Sequence, residues 1–250
     1  MNNNFAGLDF AGESNIGPIR HHNEDTFLIY CPSGSPAAIA LVADGIGGHS
    51  RGEIASYICC SEILQAARRT PGESWDQDFL HTTLQHINTR IFDFNFRNRR
   101  IRPMGCTVVA ALFSAEKVII AHAGDSRFYE FFRTGSEHPL RQLTADHRPE
   151  GYENLCKQDI FRHTSLISRS LGTTKHPEIE LQEIPRRKNA RYLLCSDGLY
   201  NHLPQQLITG LLGSDLTPRQ ITGELIRSAL LAGEKDNITV ICAAESNEDK

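Results

Sequence analysis

A chain of 250 residues, 40% hydrophobic and 22% charged, has the composition of an ordinary globular protein with ample apolar surface for one large core. Its net charge of −4 argues against a basic nucleic-acid-binding stripe and equally against an acidic tail. No apolar run is long enough to span a bilayer, and the opening MNNNFAGLDFAG has neither the basic start nor the apolar segment of a signal peptide, so a cytoplasmic location without membrane or nucleic-acid partners is expected. The seven cysteines include no C-x-x-C pair and fall largely in apolar patterns, which predicts buried thiols in a reducing compartment rather than a thiolate metal site.

In chain order, residues 5–31 read as two short strands around a polar link holding RHHNED, Arg20 to Asp25. Alone, that link reads as a solvated strand edge; beside another carboxylate it offers a metal ligand and a planar guanidinium fork suited to phosphate. The apolar run Ala37–Ala43 then delivers Asp44 into a turn containing Gly45, Gly47 and Gly48, where main-chain groups can approach an ion closely. Ser50 and Glu53 have capping-box spacing and predict a helix over about 51–68. A second helix is predicted from the Ser74 to Gln77 spacing, with Leu80, Leu84, Ile87, Ile91 and Phe94 as its core-facing stripe.

From Gly105 the period changes to two. Residues 107–113, 118–123 and 127–132 predict three consecutive strands of an antiparallel meander, the second turn being Gly124-Asp125-Ser126. Residues 147–166 lose periodicity, and long polar loops of this kind are either functional or disordered. Strands over 178–184 and 192–195 lead into Asp197-Gly198, which repeats the pattern of Asp44-Gly45. Thr217, Pro218 and Gln220 predict a capped helix start, and Asp236-Asn237 opens a last strand over 238–243.

Asp44, Asp125, Asp197 and Asp236 each stand at the end or beginning of a buried strand beside Gly, Ser or Asn. Buried carboxylates without partners are costly, so a converging set requires cations. Oxygen-only donors select hard ions, Mg²⁺ or Mn²⁺, over zinc.

The order of the motifs RHHNED (20–25), VADGIGGH (42–49), MGCTVV (104–109), HAGDSR (122–127), QLTADH (142–147), SRSLGT (168–173), LLCSDGL (193–199) and DNITV (236–240) resembles that of the PPM family, the metal-dependent type 2C serine/threonine protein phosphatases, in its compact bacterial form. The resemblance implies a single α+β domain over 1–250, a four-layer αββα sandwich of two antiparallel sheets flanked by pairs of helices, with a flap at about 147–168. It also implies that Asp44 bridges two Mn²⁺ or Mg²⁺ ions, that Gly45 gives its carbonyl to one, and that Asp197 and Asp236 complete the other. Glu24 reaches the second ion through water with Asp25 in support, Asp125 binds a third, weaker ion, and Arg20 grips the substrate phosphate.

The activity so implied is hydrolysis of phosphoserine and phosphothreonine on proteins by in-line attack of a metal-bridging water, opposing a bacterial Ser/Thr kinase. A phosphorylated protein is the expected partner and a monomer the expected state. Two departures stand out. Ile46 occupies the place of a histidine proposed as general acid in eukaryotic relatives, which leaves His49, His21 and His22 as candidates; Asn201 stands where many relatives have an aspartate that helps hold the third ion. The alternatives are an inactive regulatory binding module of the same family, against which the retained acids speak, and a nuclease, against which the lack of a basic surface speaks.

Overall fold

A computed structural model describes residues 4, 5, 7–46, 51–98, 102–132, 140–149 and 167–245. The strands are β1 (Asn4–Phe5), β2 (Leu8–Asn15), β3 (Asp25–Tyr30), β4 (Ala38–Ile46), β5 (Gly105–Cys106), β6 (Val108–Phe113), β7 (Lys117–Ala123), β8 (Arg127–Phe131), β9 (Leu140–Gln142), β10 (Glu180–Pro185), β11 (Arg191–Cys195) and β12 (Ile238–Glu245). The helices are α1 (Gly52–Arg69), α2 (Gln77–Arg97), the single turn α3 (Asp197–Tyr200), α4 (Gln205–Leu212) and α5 (Pro218–Leu231).

Two antiparallel sheets result. One runs β1-β2-β12-β11-β8-β9; the other runs β10-β7-β6-β4-β3, with β5 paired to the end of β4. Because side chains alternate across a strand, each sheet feeds two cores. From β4, Ala38, Ala40 and Val42 meet Phe128, Tyr192 and Leu194 between the sheets, while Ile39, Leu41 and Ala43 pack on α1 and α2. The other sheet turns Leu193, Cys195, Val240 and Cys242 onto α4 and α5. This is the expected four-layer αββα sandwich with a helix pair on each outer side. Each fully buried Val, Leu or Ile contributes about 1.5–3 kcal/mol.

The inner pair of sheets explains why β4 and β6 read as continuous apolar runs: both of their faces are covered. The cysteines follow the same logic. Cys59, Cys60, Cys106, Cys195 and Cys242 are buried free thiols and Cys31 is half-buried, while Cys156 lies outside the described residues.

Several local expectations change. β6 and β7 pair as a hairpin, but β8 belongs to the opposite sheet, so Gly124-Asp125-Ser126 is a crossover between sheets and not a meander turn. Gly124 takes φ 118°, a conformation that glycine reaches without the Cβ penalty, and this lets the chain change sheets within three residues. β4 runs on past Asp44 to Ile46 because β5 pairs with Gly45 and Ile46.

α2 is capped by Asp76, whose side chain accepts the N–H of Phe79, while Ser74 ends a separate 3-10 turn, Gly72–Ser74. Its stripe is buried at Leu80, Leu84, Ile87 and Ile91, but Phe94 is 39% exposed and Asn95 takes the inward place instead, its side chain bonding the main chain of Met104 and Gly172. Ser50 lies outside the described residues, and α1 begins after Arg51 without a side-chain cap. The box at Thr217 and Gln220, with Pro218 in the first turn, forms as predicted. Among the described residues no helix is long and apolar enough to cross a membrane.

Candidate metal centre

Antiparallel pairing puts the start of β3 and the end of β4 at one end of the sandwich, with Asp25 directly opposite Asp44. The other sheet brings the end of β11 and the start of β12 to the same end, as the Ser196 hydroxyl donates to Asp25 Oδ2 at 2.7 Å. Residues far apart in the chain therefore meet at one edge of the cleft between the sheets.

Asp44 is the electrostatic centre of this edge. Burial pushes its carboxyl well above the ordinary range, and Asp25, Asp197, Asp125 and Asp236 push it further. Its main chain is clamped by Thr107, whose hydroxyl accepts the Asp44 N–H at 3.1 Å and whose N–H donates to the Asp44 carbonyl at 2.8 Å. Ser126 in turn contacts the Thr107 hydroxyl at 2.7 Å, so the MGCTVV and HAGDSR stretches meet behind Asp44.

Asp25, 7% exposed, is pushed up to about 7, first by burial, with Asp197 and Asp236 adding to it against hydrogen bonds from Ser196 and Thr239. Asp197 opens α3 and is buried, with the Asn201 side-chain amide donating to its Oδ2 at 3.1 Å. Such a crowd of acids holds more protons than free carboxylates unless cations are supplied.

Gly45 and Gly52 form a second element of the edge. A Cβ on Gly52 would lie 2.6 Å from the Gly45 carbonyl oxygen and 2.8 Å from Glu24 Oε1, so only glycine lets the first turn of α1 close on this loop. The Gly52 N–H donates to Glu24 Oε1 at 3.2 Å, an anion at a helix N-terminus as electrostatics favours. The Glu24 carbonyl accepts the Gly45 N–H at 3.1 Å and the Ser56 hydroxyl at 2.6 Å. Burial raises the Glu24 carboxyl, which the Gly52 N–H and then Arg20 partly offset. The half-exposed Arg20 donates through Nη2 to Asp236 Oδ2 at 2.6 Å and feels Glu24 and Asp44 as well.

Asn237 was passed over in the sequence as the mere opening of a strand, yet it organises the edge. Its Oδ1 accepts the Glu24 N–H at 2.8 Å, and its Nδ2 donates to the carbonyls of Ile16 and His22 at 2.8 and 3.1 Å. One amide thus fixes the link that carries Arg20 and Glu24 onto the start of β12. The available signal was a polar Asn directly before a buried strand, where a side chain must satisfy main-chain groups.

Asp125 stands apart. It is 1% exposed and neither carboxylate oxygen has a hydrogen-bond partner among the described residues. Burial first, and then Asp197, push it up to about 7 against the pull of Arg148. The Tyr200 hydroxyl donates to its main-chain carbonyl at 2.8 Å, and the Arg127 guanidinium lies on the Tyr200 ring while donating twice to Asp146 at 2.8 Å. His21 and His22 are exposed on the Arg20 link, and His49 lies outside the described residues, as do residues 150–166 of the expected flap.

Among the described residues, one set of three His, Cys, Asp or Glu side chains has all its ligating atoms within 4.8 Å of one another: His122, His147 and Glu180, outside the predicted ligand set. Their hydrogen bonds oppose a cation there. His147 Nδ1 accepts the Gly124 N–H at 3.1 Å, so its proton sits on Nε2 and points to Glu180 Oε2 at 3.2 Å. His122 Nε2 faces the Ala145 carbonyl at 3.1 Å, which requires an N–H there too, and Arg169 lies 3.1 Å from His147 Nε2. This stacked pair, its ring centroids 4.5 Å apart, pins the Gly124-Asp125 crossover from behind. Among the described residues, no three of the predicted carboxylates bring their ligating atoms within 4.8 Å of one another.

The sequence model of the family described as "Protein phosphatase 2C" matches residues 20–211. The chain is 33% identical over 239 residues to the serine/threonine phosphatase stp of Listeria monocytogenes serotype 4b (strain F2365), covering 90% of this chain and 91% of that protein. It is similar to the crystal structure of the catalytic domain of the serine/threonine protein phosphatase PstP in complex with two manganese ions, with TM-score 0.76, 30% identity, and coverage of 95% of this chain and 97% of that one. It is also similar to the serine/threonine phosphatase Stp1 from Staphylococcus aureus, with TM-score 0.82, 27% identity and 96% of both chains covered. The matched span begins at Arg20 and takes in Glu24, Asp44, Asp125 and Asp197, so sandwich, carboxylate edge and sequence agree: the chain belongs to the protein phosphatase 2C family.

Proposed function

We propose that this chain is a metal-dependent phosphatase that removes phosphate from phosphoserine and phosphothreonine on proteins, with residues 1–250 acting as one catalytic domain. The observation that carries this reading is the convergence on Asp44 of Asp25, Asp197, Asp125 and Asp236, each of them raising its pKa, with Arg20 at the rim. The relatives named as serine/threonine phosphatases, and the neighbour holding two manganese ions, support it.

In this reading Asp44 would hold two divalent ions together with the Gly45 carbonyl, Glu24 through water, Asp197 and Asp236. The donors fit hard cations: carboxylate and carbonyl oxygens only, in a cluster whose carboxyls are raised first by burial and then by one another's charge. When bound, such a pair supplies a polarised water near neutral pH and shares the charge of the phosphoryl oxygens.

The chain's own groups do the rest. Thr107 and Ser126 hold the Asp44 main chain, and Asp25 locks β3 to β12 through Ser196. Asn237 holds the Arg20 link, and Asp236 aims a guanidinium with free N–H donors toward an incoming phosphate. The substrate is then a phosphoprotein made by a Ser/Thr kinase, and the enzyme acts as a monomer in the cytoplasm.

The test is manganese-dependent hydrolysis of p-nitrophenyl phosphate and of a phosphothreonine peptide. Wild type should turn over both and lose activity to a chelator. Asp44→Ala, folded by circular dichroism, should fall by at least roughly a thousandfold, since it removes a ligand of both ions. Full turnover in excess chelator would refute the reading.

A further inference from the structure

The resemblance implies a third, weaker ion at Asp125, and the groups present there do not fit one. Arg148 Nη2 stands 3.6 Å from Asp125 Oδ2 and 3.3 Å from Asp146 Oδ2, with its side chain 23% exposed. Asp146 is itself fixed by two hydrogen bonds from Arg127, which braces the carboxylate that orients Arg148. On the other side, Asn201 presents its amide N–H to Asp197 Oδ2, so a neutral donor points into the space where a further acid would give a ligand. Asp125, whose oxygens accept no hydrogen bond among the described residues, thus has a guanidinium within ion-pair distance and no additional anion from position 201.

We propose that Arg148 is a built-in cation that takes the place of a third divalent ion at Asp125, so that this phosphatase works with two ions. The physical reason is economy of charge. A guanidinium held by a second carboxylate offsets part of the buried Asp125 charge without any ion being bound, although burial and Asp197 still hold that carboxyl above its ordinary range. A divalent ion at the same carboxylate would be repelled by that guanidinium and would have one fewer acidic ligand, which lowers affinity in sites of this kind. The consequence is a metal dependence set by the core pair alone.

This inference rests on the two-ion reading of the Asp44 edge, and the experiment separates them. Mn²⁺ is titrated calorimetrically and counted by native mass spectrometry on wild type, Arg148→Ala, Arg148→Lys and the double variant Arg148→Ala/Asp125→Asn, with circular dichroism as the check of folding. Wild type should bind two ions. Arg148→Ala should gain a third, at least roughly tenfold weaker than the core pair because fewer charged ligands hold it. The double variant should lose that third ion, and Arg148→Lys, which keeps the charge, should stay at two. Three ions on wild type, or two on Arg148→Ala, would overturn the inference. Absence of any ion from wild type would instead overturn the metal centre itself.

Discussion

Replacing Asp25 by Asn should make the metal-free protein more stable and the metal-loaded protein weaker in its grip on the ions. Asp25 is buried, and its carboxyl is pushed from an ordinary 3.8 up to about 7. A folded-state pKa above the unfolded one means that the native state holds the proton longer. The cost of ionising Asp25 is therefore absent below about pH 4, grows as pH rises, and is complete above about pH 7.

Each pH unit is worth about 1.4 kcal/mol, so the span from 3.8 to about 7 sets a ceiling of about 4 kcal/mol on this cost. Asp44 sits opposite and competes for the same proton, which brings the expected gain for Asp25→Asn to about 2 kcal/mol at pH 8 and close to nothing at pH 4. The Ser196 hydrogen bond survives, because an amide oxygen still accepts it.

Urea denaturation followed by far-ultraviolet circular dichroism in a chelator, at pH 4 and pH 8, measures the gain. The same titration with saturating Mn²⁺ should largely cancel the gain, since metal affinity lowered roughly ten- to a hundredfold by loss of a supporting carboxylate is worth about 1.4–2.7 kcal/mol. An Asp25→Asn protein no more stable than wild type in chelator at pH 8, or equally stabilised at both pH values, would refute the reasoning.

Other perturbations test the rest of the edge. Arg20→Ala should raise KM for a phosphopeptide by roughly ten- to a hundredfold with a smaller effect on kcat, since a half-exposed guanidinium contributes mainly to phosphate binding; Arg20→Lys should recover only part of it. Gly52→Ala forces a Cβ to within 2.6 Å of the Gly45 carbonyl oxygen and should lower both Tm and Mn²⁺ affinity, by about 1–3 kcal/mol in stability; an unchanged Tm with unchanged affinity would count against the close packing of α1 on this loop. Because Asp25 holds its proton up to about pH 7, Mn²⁺ binding at pH 6 should release protons, seen as a buffer-dependent calorimetric enthalpy, and release should fade by pH 8.5. Asn237→Ala should reduce activity more than Asn237→Asp does, since the aspartate keeps an acceptor for the Glu24 N–H and the alanine frees the Arg20 link altogether; equal activity of Asn237→Ala and wild type would remove its organising role.

Local chemistry was enough for whatever depends on neighbours along the chain. The Thr217, Pro218 and Gln220 start of α5 needs only four residues to satisfy its own N–H groups, and the apolar runs of β4, β6 and β12 announce strands covered on both faces. The order of motifs was sufficient for the family, because spacing and sequence survive without coordinates. What the linear order could not carry is which strand joins which sheet: 107–132 reads the same whether β8 continues a meander or crosses over, and the choice is made by Phe128 packing against Phe113 and Tyr192 between the sheets. The contacts that tune the edge are all long-range, from Ser196 on Asp25 to Asn237 on the Arg20 link and Arg148 beside Asp125, and a side chain's partner across the fold leaves no periodic trace in its own neighbourhood. The carboxylates were therefore visible one at a time, while their mutual charge, and the groups that balance it, exist only once the two sheets close on each other.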